Sequence, residues 1–82
     1  MYNGWKNRAT WNVALWINND EQLYKMAVNW VKRRRAKRKP INWTVFSTET
    51  SLRYRKTPDG YSYVSPELCK MELTQMLQEL VD

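Results

Sequence analysis

Five tryptophans, Trp5, Trp11, Trp16, Trp30 and Trp43, fall in the first 43 positions of an 82-residue chain that has a single cysteine. That combination sets the fold problem. A chain this short buries roughly 60% of its unfolded surface, which leaves little margin of stability. Cys69 has no partner within the chain, so no disulfide can supply the difference. Large aromatic side chains can, because each removes about 150–250 Å² from water when buried. The expectation is a single domain over residues 1–82, mainly α, with three to four helices around a tryptophan-rich core.

Hydrophobic spacing places those helices. Between Thr10 and Ile17, Trp11, Ala14 and Leu15 share one face, and Val13, Trp16 and Ile17 share the next. A helix apolar over so much of its girth belongs mostly in the core. Thr10 is positioned to cap it through its hydroxyl. Asn18 and Asn19 break the pattern. Asn19 with Gln22 resembles a capping box, and Asp20 and Glu21 suit the first turn of a second helix, where the dipole favours negative charge. Leu23, Ala27, Trp30 and Val31 then recur at i, i+4, i+7 and i+8. This helix runs to about Lys37 and stops before Pro40, since a residue preceding proline avoids helical angles. Trp11, Trp16 and Trp30 all sit at core spacing.

Residues 41–57 read two ways. Ile41, Trp43 and Val45 alternate as in a strand, whereas Trp43, Phe46 and Leu52 fit a short helix capped by Asn42. Periodicity alone does not decide a run this short. Thr57-Pro58-Asp59-Gly60 is a turn, with proline fixing one angle and glycine free to take a positive φ. Tyr54 before it and Tyr61 and Tyr63 after it leave room for one short β-hairpin. Ser65-Pro66-Glu67 carries the residues of a helix start. The spacing of Cys69, Leu73, Met76, Leu77 and Leu80 then predicts a last helix to about Val81.

The chemistry that is missing narrows function. There is no histidine, the commonest general base and zinc ligand. Cys69 lies on an apolar stripe without a histidine to activate it and reads as a small buried hydrophobe. Gly4 and Gly60 are the only glycines, so no phosphate-cradling loop exists. The expectation is a protein that is not an enzyme, with no catalytic residue, metal or cofactor. No apolar run approaches the ~20 residues of a membrane span. The N-terminus also lacks the features of a signal peptide. These traits and the lone thiol lead to the expectation of a soluble protein of the cytoplasm.

Charge is the sharpest feature. Net charge is +6, and seven of the 14 basic residues crowd into positions 32–39: Lys32, Arg33, Arg34, Arg35, Lys37, Arg38 and Lys39. Spread around a helical rod, they suit phosphate contact rather than base reading. Nucleic acid or a nucleoprotein complex is the expected partner, with Arg53, Arg55 and Lys56 in support around Tyr54. A solvated charge run and an acidic protein surface are the competing readings. An exposed apolar patch of Trp5, Trp43 or the tyrosines would instead favour a protein-binding inhibitor of a host enzyme or defence complex. A third reading is a structural homo-oligomer paired through the last helix. The expected state is a monomer or homodimer. The asparagines Asn7, Asn12, Asn18 and Asn19 read as caps that satisfy backbone groups.

The stretch Asn7-Arg8-Ala9-Thr10-Trp11-Asn12-Val13-Ala14-Leu15-Trp16-Ile17-Asn18-Asn19-Asp20 carries a pattern, N-x-x-T-W-N-V-x-L-W-x-x-N-[DE]. It resembles a group of short, uncharacterised proteins of phages, cyanobacteria and other bacteria. Pro58-Asp59-Gly60 and the helix after Ser65 are similar to that group's C-terminal part, and the resemblance covers about half of the chain. It implies a compact, mostly helical accessory protein without a general activity to carry over. Phage association implies host takeover or defence evasion as the setting. The basic run departs from the pattern.

Overall fold

The computed structural model describes residues 2–80. Four α-helices follow one another: α1 (Arg8–Asn19), α2 (Glu21–Ala36), α3 (Trp43–Glu49) and α4 (Lys70–Glu79), with a 3-10 turn at Leu52–Tyr54. It is a mainly α bundle, and no strand forms among the described residues. The expected hairpin reduces to an isolated bridge between Lys56 and Ser62, closed by Thr57 N–H donating to the Tyr61 carbonyl at 2.8 Å. Gly60, at φ +95°, takes the positive angle the turn needs. Among the described residues no helix is long and apolar enough to cross a membrane.

The core draws on every element. Val13 and Ile17 from α1, Ala27, Trp30 and Val31 from α2, and Trp43 and Phe46 from α3 meet Leu52, Tyr63, Leu68, Leu73 and Leu77. Phe46 joins the aromatics, with its ring centroid 5.2 Å from Trp30 and 5.3 Å from Trp43. Trp43 decides the ambiguous segment in favour of a helix. Its backbone N–H donates to Thr74 Oγ1 at 2.9 Å and its indole N–H to the Tyr63 carbonyl at 2.9 Å. Both groups are thereby satisfied with the residue 1% exposed. Asn42 caps α3 as its sequence allows, accepting from Val45 N–H at 3.2 Å. Trp11 and Trp16 are a correction: both are only half-buried, and of the two Trp16 packs against the core from outside it. Trp11 packs on Tyr2 with ring centroids 5.0 Å apart.

Three helix starts differ from their local signals. Helix α1 is capped by Asn7, not Thr10, and Asn7 Oδ1 accepts from both the Thr10 N–H at 2.9 Å and the Thr10 hydroxyl at 2.7 Å. Helix α2 is capped by Asp20 rather than by an Asn19 box, with Asp20 Oδ1 accepting from Leu23 N–H at 3.0 Å. Asn19 instead remains in α1 and donates back to the Leu15 carbonyl at 2.9 Å. Helix α4 begins at Lys70, not at Ser65. Residues 65–68 form a turn in which Leu68 N–H reaches the Ser65 carbonyl at 3.2 Å, and Leu68 is buried. Cys69 is therefore not on a helical stripe. It is the half-buried residue before α4, and its N–H donates to Thr10 Oγ1 at 2.9 Å. The expected end at Val81 lies outside the described residues.

Candidate nucleic-acid interface

The basic run divides according to which way each side chain turns. At 100° per residue, Lys32, Arg33, Ala36 and Lys37 fall within an arc of about 140° on α2, and all are exposed. Arg34, half-buried, and Arg35, itself exposed, lie on the other arc, beside Ala27 and Val31. The basic residues therefore lie all round the rod, as expected, but they do not all meet the same surroundings. Beyond Ala36 the helix ends in a Schellman closure. Arg38 N–H donates to the Arg35 carbonyl at 3.0 Å, Lys39 N–H donates to the Arg34 carbonyl at 2.9 Å, and Arg38 takes a left-handed φ of +56°. That conformation is ordinarily left to glycine. It turns Arg38 and Lys39 out of the helical path.

Arg34 and Arg35 fasten the helix to its neighbours. Arg34 donates through Nε and Nη2 to the Pro40 carbonyl at 3.0 and 2.8 Å, which pins the chain just after the helix end. Its guanidinium lies 5.1 Å from the Trp30 ring centroid, a cation–π contact. Its Nη1 stands 3.9 Å from Glu49 Oε2, and the side chain is only 15% exposed. Arg35 Nη2 donates to the Gln78 carbonyl at 2.6 Å, covering a carbonyl in the last turn of α4. Glu49 also accepts from the Trp30 indole N–H at 2.8 Å.

The other five cations, Lys32, Arg33, Lys37, Arg38 and Lys39, make no side-chain hydrogen bond or ion pair among the described residues, and all five are exposed. Arg33, Lys37 and Lys39 line a small cavity of about 170 Å³ with Arg34, Trp30 and Glu49. Glu49 is the one carboxylate in that lining. The chain continues from α3 through Ser51, left-handed at φ +66°, into the 3-10 turn. This places Arg53, Tyr54, Arg55 and Lys56 on the surface, all exposed. Arg53 lies over the Tyr54 ring at 5.1 Å from its centroid.

An exposed patch of Trp5 and Trp43 does not form. Trp43 is in the core, and Trp5 is half-buried in a groove with Asn18, Met76, Glu72 and Glu79. Among the described residues no three histidine, cysteine, aspartate or glutamate side chains gather as a metal site.

The tryptophan–asparagine motif has a different fate from the basic run. Asn7 Nδ2 donates to the Glu67 carbonyl at 2.7 Å, and Thr10 accepts from Cys69, so the start of α1 fixes the approach to α4. Asn12 Nδ2 and the Trp16 indole N–H both donate to Asp59 Oδ2, at 2.8 and 2.9 Å. These bonds, Asn12's first and Trp16's second, hold the Asp59 carboxyl below its ordinary pKa against the opposing effect of burial, with a lesser contribution from the Arg8 charge. Burial, opposed by the Arg55 charge, pushes the Tyr63 phenol up. A turn signal accounts for Pro58 and Gly60 but not for Asp59, whose role as the acceptor for α1 depends on a contact 43 to 47 residues away.

The geometry describes a small helical domain with one cationic edge and an internally bonded motif. The chain belongs to a family of unknown function, DUF7249, which it matches over residues 1–82. No curated protein and no solved structure matches it.

Proposed function

We propose that this is a non-enzymatic accessory protein that binds nucleic acid, alone or within a nucleoprotein complex, through its cationic edge. Lys32, Arg33, Lys37, Arg38 and Lys39 supply the phosphate contacts, and Arg53, Arg55 and Lys56 extend them. Arg34 and Arg35 hold the frame that presents them. The observation that carries this reading is that five crowded cations have no acceptor of their own among the described residues. Like charges held side by side repel one another, and a polyanion relieves that repulsion while releasing its condensed counterions. The motif resemblance over residues 7–20 supports a phage- or mobile-element-type protein. In the host cytoplasm such binding would serve host takeover or evasion of host defence.

The test is oligonucleotide binding across a salt series, with the wild-type chain and a variant carrying Gln at 32, 33, 37, 38 and 39. If five phosphates are neutralised, wild-type affinity falls roughly 100- to 500-fold between about 50 and 200 mM salt. The variant loses affinity and most of that salt slope. Undiminished binding by the variant would overturn the reading. So would a stoichiometric, nuclease-insensitive complex with an acidic protein in place of nucleic acid.

A further inference from the structure

Resting on that reading, we infer that the nucleic acid taken is single-stranded and that Tyr54 is the platform on which one of its bases stacks. Of the chain's aromatic residues, Trp30, Trp43, Phe46 and Tyr63 are buried and unavailable. Tyr2 is committed to Trp11, and Tyr24, in the first turns of α2, lies near Asp20 and Glu21 rather than among cations. Tyr54 differs from all of these. It is 79% exposed, and it has no aromatic neighbour among the described residues.

Its backbone is firmly held. Tyr54 N–H donates to the Ser51 carbonyl at 3.2 Å, Arg55 N–H to the Leu52 carbonyl at 2.9 Å, and Leu52 beneath is fully buried. Arg53 over the ring restrains the side chain and brings a positive charge beside it. A single exposed aromatic is by itself ordinary. One on an anchored turn, with Arg53 over its ring and the exposed Arg55 and Lys56 next in the chain, has the composition of a surface that stacks bases while tracking their backbone. A duplex keeps its base faces inside the stack and offers such a ring nothing beyond phosphate and sugar, whereas unstacked bases of a single strand can lie on it.

The platform lies close to the phosphate contacts. Glu49, in the wall of the cationic cavity, is five residues before Tyr54. Even a fully extended chain would separate them by no more than about 18 Å. One short strand can therefore reach both.

The experiment measures binding of the full chain, by fluorescence anisotropy, to labelled single-stranded DNA and RNA and to the matching duplexes at one fixed salt concentration. Single strands are expected to bind more tightly than duplex. Tyr54→Ala weakens single-strand binding by roughly 5- to 100-fold and leaves duplex binding and the salt slope unchanged. Tyr54→Trp restores the single-strand affinity. The inference is overturned if Tyr54→Ala has no effect, or weakens duplex and single strand alike. If duplex binds and single strands do not, this inference falls while the proposed function stands. If neither binds, both fall.

Discussion

Residues 7–20 and residues 32–39 are both dense in polar groups, and the fold uses them in opposite ways. In the first segment four side chains are spent on the protein's own distant groups. Asn7, Thr10, Asn12 and Trp16 reach the Glu67 carbonyl, the Cys69 N–H and the Asp59 carboxylate, each more than 40 residues away in sequence. In the second, only Arg34 and Arg35 find partners among the described residues, each a backbone carbonyl and for Arg34 also Glu49 and the Trp30 ring, and five cations are left to solvent. The tryptophan–asparagine motif is thus internal stapling of a small core, and the proposed binding surface lies outside it. With little apolar surface to bury, the chain relies on hydrogen bonds from α1 to hold the irregular segment between α3 and α4.

The contrast predicts unequal costs. Thr10→Val should give the largest loss of stability, about 1–3 kcal/mol, because it leaves the Cys69 N–H without an acceptor and weakens the α1 cap. Urea unfolding measures it, and a loss under ~0.5 kcal/mol would show that the motif does not staple the fold. Within the basic run, Arg34→Ala should cost about 1–2 kcal/mol, since it removes two charge-assisted bonds to the Pro40 carbonyl and the contact with Trp30. Arg33→Ala, with no such partner, should stay within about 0.5 kcal/mol. Equal effects at the two positions would erase the division of the run into inward and outward cations.

Acid sensitivity gives a smaller effect. The folded-state pKa of Asp59 is lowered by Asn12 and Trp16. Its contribution is therefore complete above the unfolded value, near ~3.9, and is lost as pH falls through the lower folded value. Asp59→Asn should reduce stability at neutral pH and flatten its decline below about pH 4. The unfolding midpoint followed against pH checks this, and an unchanged acid limb would mean that the carboxylate is not what α1 holds.

Much of this was legible beforehand, in proportion to how local the forces are. The apolar spacing of Leu23, Ala27, Trp30 and Val31 and the stop before Pro40 place α2 closely. The fate of residues 41–57 was not legible, because β-branched side chains favour a strand there while Trp43 finds its partners in Thr74 and the Tyr63 carbonyl. Ser65, Pro66 and Glu67 have the local chemistry of a helix start. The burial of Leu68 and the Cys69–Thr10 bond nevertheless delay the helix to Lys70. At the candidate site the cations themselves are visible in the sequence. Which two turn inward is not, since their acceptors are the carbonyls of Pro40 and Gln78 and a carbonyl has no residue signature.

The most direct test measures folding and binding together on the chain with Lys32, Arg33, Lys37, Arg38 and Lys39 replaced by Gln. Outward cations without an internal role predict a stability within about 0.5 kcal/mol of wild type, alongside the collapse of oligonucleotide affinity. A variant that unfolds readily, or one that still binds oligonucleotides as wild type does, would contradict the account.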